Sequence, residues 1–368
     1  MHKTKTPLFH IVKRVDMPWY FSWCVRAVAI ILALVFCGLI STIVTKDNPI
    51  QIFATIIDGS FGSSRKFMVL LQNTAMLLCV ALALTPAFKM RFWNIGGEGQ
   101  ALIGALAAAA CMILMKNQSN WVVIPCMVIA SICAGALWGA IPAFFKAKFG
   151  TNETLFTLMM NYVAIQLVAY FSVVWENPKG SGNIGVINPN TKVGWFPDLF
   201  GSKYALNILI VALLTIGLYI YLNYSKHGYE ISVVGESERT ARYVGIKVEK
   251  IIIRTMLISG AICGLAGLLL VGGTNHTLNS SIVDGRGFTA VMVSWLGKFN
   301  PIWMILTSFL LVFLGRGAGE IATDFGLNAS FGDILTGIIL FFIIGCEFFI
   351  NYKLSLTKSS NKEENNNA

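Results

Sequence analysis

Apolar stretches of about twenty residues recur along this chain, separated by short polar segments, and no other feature restricts its fold as much. Backbone N–H and C=O groups in hydrocarbon have no water to bond, so each stretch is committed to α-helix. The residue balance agrees: 55% of the chain is hydrophobic and 12% is charged, against roughly 25% charged in a soluble domain. The expected fold is an all-α, polytopic transmembrane helical bundle of about ten spans, some of them broken. The spans read as 24–45, 67–88, 92–115, 121–145, one opening at 151, 204–224, 251–273, a half-span at 287–297, 301–315 and 334–352.

The formal charge of +10 invites a nucleic-acid reading, but its distribution follows topology. Segments assigned to the inner side carry 17 Lys and Arg, and those assigned outside carry 9. That bias places both termini in the cytoplasm and requires an even number of crossings. Residues 1–23 then form a cytoplasmic tail with an aromatic belt (Trp19, Tyr20, Phe21, Trp23) and no small-residue cleavage site. Residues 24–352 form the membrane domain, and the Asn-rich residues 353–368 a disordered cytoplasmic tail. Polar segments at 46–66, 176–203, 274–286 (outside or re-entrant) and 315–333 fall outside.

Polar residues inside apolar runs mark where chemistry is expected, because each is costly in hydrocarbon unless it faces a cavity or a partner. The densest case is Asn94-Ile-Gly96-Gly97-Glu98-Gly99-Gln100, opening the third span. Three glycines permit a tightly approached or broken backbone there. Glu98 either caps the first turn of a helix or belongs to a broken helix beside a substrate path. Asn152, Glu153 and Asn161 cluster at the inner end of the fifth span, as caps and anchors or as cavity lining. The second span carries Gln72, Asn73 and Thr74 together. Gly135-x-x-x-Gly139 and Gly260-x-x-x-Gly264 are patterns for close helix packing.

The most charged inner segment is 225–250. Within it, Ser237 to Tyr243 can form a short helix with Gly235 and Gly245 as breakers on either side. Glu236, Glu238, Arg239 and Ala241 would then present a peg to a soluble partner, although an ordinary solvated loop has the same spacing. No G-x-x-x-x-G-K-[ST] loop, nucleophile elbow, HExxH or paired-acid motif occurs. The eight cysteines form no C-x-x-C pair and the four histidines are scattered. The chain is therefore expected to be no enzyme, with no metal site and no cofactor.

Four blocks carry a family resemblance: Phe92–Gln100, Asn152–Tyr162, Gly235–Ile246 and Gly287–Pro301. Their order and residues resemble bacterial ABC importer permeases of the branched-chain amino acid/ribose type. The closest branch is similar to the nucleoside and simple-sugar permeases that work with Bmp-type binding lipoproteins. Trp93 stands between Phe92 and Asn94, a departure from the family's form of that block. The resemblance implies that 235–246 is the coupling helix docking on an ATPase, and that 92–100 and 287–301 are equivalent elements of two similar halves. It implies a bacterial cell-membrane protein whose partners are an ATP-binding subunit, a second permease subunit and an extracytoplasmic substrate-binding lipoprotein, with no nucleic acid. Asn94, Glu98, Gln100, Asn152, Glu153 and Asn161 are the candidates for the translocation path. The alternative is an ion-coupled secondary transporter acting without an ATPase, which broken helices and Glu98 also suit.

Overall fold

The computed structural model describes residues 9–14, 18–46, 48–199 and 201–356. In chain order these form β1 (Phe9–Lys13), α1 (Trp19–Thr45), α2 (Pro49–Phe61), α3 (Ser64–Lys89), α4 (Gly97–Leu114), α5 (Asn120–Phe149), α6 (Glu153–Val174) and α7 (Ala205–Tyr224). There follow α8 (Lys226–Glu236), α9 (Glu238–Tyr243), α10 (Val248–Leu270) with a π-helical turn (Val271–Asn275), α11 (Arg286–Leu296), α12 (Pro301–Asp324), α13 (Ala329–Asn351) and β2 (Tyr352–Leu356). Among the described residues nine helices are long and apolar enough to cross a membrane. With α11 as the half-span, they reproduce the expected bundle.

The chain divides into two compact units, Ser63–Phe313 on one hand and Met1–Gly62 with Leu314–Ala368 on the other. The larger unit is built on α3, α4, α5 and α10. Helix α3 is buried almost continuously from Thr74 to Phe88, as a helix surrounded by others must be. Helices α5 and α10 meet through the two glycine motifs. A Cβ on Gly135 would overlap the Gly260 carbonyl, and one on Gly264 would overlap the Ser131 carbonyl. Small residues let backbones touch, which is how helices associate in lipid without a hydrophobic driving force.

The segment between α6 and α7 is irregular but stapled. Trp195 donates its ring N–H to the Ile187 carbonyl (2.9 Å), and its ring stacks on His276 at 3.8 Å. The Ile187 amide donates to the His276 carbonyl at 2.7 Å. Glu176 accepts from the amides of Gly180 (2.8 Å) and Gly182 (3.0 Å), which holds its carboxyl below the ordinary range.

In the smaller unit α1 packs on α13, tied by an Arg26–Glu347 ion pair. β1 and β2 pair antiparallel, Phe9 opposite Leu356 and Lys13 opposite Tyr352. Residues 353–356 of the expected disordered tail are thus strand; residues 357–368 lie outside the described residues, as do 1–8 and 15–17 of the N-terminal tail.

Three other expectations need correction. Residues 46–66 contain α2, because Asn48 caps the Ile50 amide (3.0 Å) and Pro49 opens the first turn. Helix α12 continues past Gly315 to Asp324. Its Arg316 donates to the Gly59 carbonyl of α2 (3.3 Å) and its Gly317 lies against Ile56, so its charge has a place inside the unit. Residues 226–236 are helical, so Gly235 sits within α8 and is no breaker. A Cβ there would overlap the Lys89 carbonyl; the glycine is needed for close approach. The break between α8 and α9 is made by Ser237, extended at φ −160°, whose hydroxyl caps the Thr240 amide.

Candidate functional site

Helix α3 ends at Lys89, and residues 92–96 then run without helix before α4 opens at Gly97. The segment joins two separate helices, with Glu98 in the first turn of the second, and is buried at Phe92 and Asn94 but exposed at Trp93. Its backbone groups are bonded by side chains of α6 and by its own Asn94. The Ile95 amide donates to Thr157 Oγ1 (3.2 Å), and Asn161 Nδ2 donates to the Ile95 carbonyl (2.9 Å). The Gly96 amide donates to Asn94 Oδ1 (2.9 Å) and the Gly99 amide to Asn161 Oδ1 (2.9 Å). Asn94 Nδ2 reaches Ser259 Oγ on α10 (3.1 Å), and Asn94 and Gln100 exchange longer amide bonds of 3.3 and 3.4 Å. Irregular backbone at membrane depth survives only where protein satisfies it, and here three side chains, Asn94, Thr157 and Asn161, do so.

Glu98 completes the arrangement. Its carboxylate accepts from the Gly285 amide (3.0 Å) on Oε1 and from the Gly287 amide (2.7 Å) on Oε2. It stands in the first turn of α4 and at the same time covers the N-terminus of α11. One negative charge thus faces the positive ends of two helices. Gly285 has φ +66°, the left-handed conformation that starts α11, and a Cβ on Gly287 would overlap the Glu98 backbone. Arg286 lies between the two donors and gives a hydrogen bond to Asn73 Oδ1 of α3 (3.3 Å), with Asp284 and Glu98 as its nearby anions.

Asn94, Glu98, Gln100 and Asn161 are therefore brought together, each no more than 6% exposed and bonded within the protein. Asn152 and Glu153 are not part of this cluster. Asn152 caps α6 by accepting from the Leu155 amide (3.1 Å), and Glu153 pairs with Lys146 at 2.7 Å. Thr157 and Ser259 belong to the network and were not singled out in the sequence. Isolated hydroxyls in apolar helices are too common to stand out. The same region holds an aromatic cluster: Trp93 stacks on Trp295 (centroids 5.3 Å apart), with Phe88 and Phe299 against them.

Helices α8 and α9 form the second feature. Ile231, Val234 and Ala241 are buried against Met90, Phe92 and Met256. Ala241 is fully covered by its own chain and is not available as a contact for a partner. The exposed side carries Glu236, Glu238, Arg239 and Gly245, with Tyr243 92% and Val244 60% exposed. Arg242 pairs with Glu249 at 2.8 Å, tying α9 to the start of α10.

The family described as branched-chain amino acid transport system / permease component matches residues 65–344. The guanosine ABC transporter permease protein NupP of Bacillus subtilis is 29% identical over 87% of this chain and 92% of its own length. The nucleoside ABC transporter permease protein NupB of Lactococcus lactis is 28% identical over 91% and 94%. The glucose ABC transporter permease protein TsgB13 of Haloferax volcanii is 24% identical over 89% and 88%.

Proposed function

The chain belongs to the branched-chain amino acid transport system / permease component family, and from that premise we propose that it is the membrane subunit of an ATP-driven importer for nucleosides or related simple sugars. The observation that carries this reading is the α8–α9 pair. One face is packed on the inner ends of α3 and α10, and the other exposes Glu238, Arg239 and Tyr243. A short helix fixed at its root and bare on its outer side can transmit a push from a soluble subunit into the bundle. The chain has no phosphate-binding loop, so the push comes from ATP hydrolysis on a separate ATP-binding subunit. Nucleotide-dependent alternation needs two states that bind the nucleotide-bearing partner differently.

Asn94, Glu98, Gln100 and Asn161 brace the connection between α3 and α4 beside the translocation path, and α9 couples it to the ATPase. A second permease subunit and an extracytoplasmic binding lipoprotein complete the assembly. Both termini lie in the cytoplasm; the 17-to-9 charge bias and the β1–β2 pairing, which holds the two ends on one side, support this. Residues 24–352 span the bilayer between the two terminal segments.

The test is a double variant, Arg239→Glu with Tyr243→Ala, in the assembled transporter. The expected result is loss of co-purifying ATPase at normal membrane abundance. Full retention of the ATPase and of ATP-dependent uptake overturns the coupling role. Uptake that survives ATP depletion but collapses with a protonophore favours the ion-coupled carrier instead.

A further inference from the structure

In the smaller unit α1 and α13 leave an apolar groove of about 570 Å³ along one flank, and no charged residue lines it. Its floor is made of small residues, Ala29, Gly345 and Cys346, and its walls of Val28, Phe341 and Phe349. A Cβ on Gly345 would meet nothing within 4 Å, and the three wall side chains are strongly exposed, so the trough stands open. From Phe21 to Leu32 it follows eleven residues of α1, about 16 Å of helix. That is half of the hydrocarbon core of about 30 Å, the depth of one leaflet. Phe36 packs on Phe342 at the deep end, with ring centroids 5.8 Å apart. The shallow end opens where β1 and β2 adjoin the helices. Arg14 stands there over the Phe21 ring at 5.3 Å and donates its Nε–H to the Tyr352 carbonyl at 3.3 Å. Lys353 follows Tyr352, exposed and opposite Val12 in the sheet. The acid of this region, Glu347, is already paired with Arg26.

We propose that this groove is a site for an anionic phospholipid, with one acyl chain lying between α1 and α13 and the phosphate at Arg14 and Lys353. The two parts of the site select for two parts of one molecule. An apolar trough one leaflet deep takes a single hydrocarbon chain, and burying that chain is favourable in proportion to the apolar area covered. The trough alone does not distinguish one phospholipid from another. The mouth does, because a headgroup with net negative charge gains from two cations and a zwitterionic one gains far less. Basic pockets between membrane helices at the bilayer surface hold anionic headgroups in this way. Arg14 is fixed in place by a ring and a carbonyl, so its charge is set above the trough before the lipid arrives. A free phosphate would use the mouth and leave the trough empty. A bound lipid would tie α1, α13 and both strands together, the elements that join the two ends of the chain.

The experiment titrates the delipidated full-length chain in detergent with phosphatidylglycerol or phosphatidylcholine carrying the same palmitoyl and oleoyl chains. Bound lipid is read by native mass spectrometry. Phosphatidylglycerol should bind at least about tenfold more tightly, since each cation beside an anionic headgroup contributes about fivefold. Arg14→Gln with Lys353→Gln should erase that preference and leave phosphatidylcholine binding unchanged. Gly345→Leu, which fills the floor, should weaken both lipids alike. Equal binding of the two lipids by wild type overturns the proposal, as does an unchanged preference in the double variant. Glycerophosphoglycerol, the same headgroup without chains, should not compete; full competition overturns the proposal by showing a phosphate site that needs no groove. Should Gly345→Leu fail to reach the membrane, a phosphatidylglycerol with a diazirine in its acyl chain decides. It should label peptides of α1 and α13, and excess phosphatidylglycerol, but not phosphatidylcholine, should suppress the labelling. Suppression by both lipids alike, or cross-linking of the groove to a second protein chain in place of lipid, overturns the proposal.

Discussion

Replacing Glu98 tests whether the site is a brace. The carboxylate accepts two buried amide bonds, from Gly285 and Gly287. Glu98→Ala leaves both amides unsatisfied at about 1–3 kcal/mol each, or about 2–6 kcal/mol together. It also removes an anion from the ends of two helices and from beside Arg286. Glu98→Gln keeps one acceptor oxygen and turns an NH₂ donor toward the other amide, so about half of that loss is expected. The assay is the melting midpoint of the purified chain in detergent, followed by size-exclusion elution, with uptake measured in parallel. The expected order is wild type, then Glu98→Gln, then Glu98→Ala, the last lower by several degrees at least. A Glu98→Ala protein that melts within about one degree of wild type, yet has lost uptake, would falsify the brace and leave Glu98 as a contact for solute.

Gly264→Ala should sharply reduce membrane abundance, because its Cβ overlaps the Ser131 carbonyl; Gly345→Ala, with nothing within 4 Å, should be neutral or stabilising by up to about 1 kcal/mol, as immunoblots and melting curves will show. Burial, and secondarily Lys203, lowers the His276 pKa. The unfolded loop therefore binds more protons than the folded one, and loop stability present above about pH 6.5 is lost as pH falls through the lowered folded value. Amide protection in residues 183–199, taken relative to the intrinsic exchange rate at each pH, should fall on acidification, and His276→Gln should remove that fall. Reporter fusions at Asn190 and after Lys358 should read opposite sides of the membrane; the same side for both would refute the topology.

The segment 225–250 shows what limited the sequence. Gly228 and Gly235 lower helix propensity, and the polar composition of 226–236 gives no span-like signal. The segment is nevertheless helical because Gly228 and Gly235 approach the carbonyls of Leu222 and Lys89, and Ile231 and Val234 are buried by other helices. Ala241 illustrates the same limit. Its small size in a charged segment suited a docking contact, yet it is fully buried within its own chain, where α9 packs on α8 and α10.

The sequence by itself determined that the chain is helical and membrane-spanning, where nearly every span lies, and that the polar, glycine-rich stretch Asn94 to Gln100 opens the third. Those features follow from the cost of an unbonded peptide group in hydrocarbon, and that cost depends only on local composition. Tertiary structure alone decided what the polar residues bond to. Glu98 meets Gly285 and Gly287 across 187 and 189 residues of chain, and Asn94 meets Ser259 across 165. It also decided that Asn152 and Glu153 serve as a cap and an ion pair, that Arg316 can remain inside α12, and that the Gln72 amide has no hydrogen-bond partner among the described residues. A local pattern can show that a polar group needs a partner; the partner itself is set by how distant helices pack.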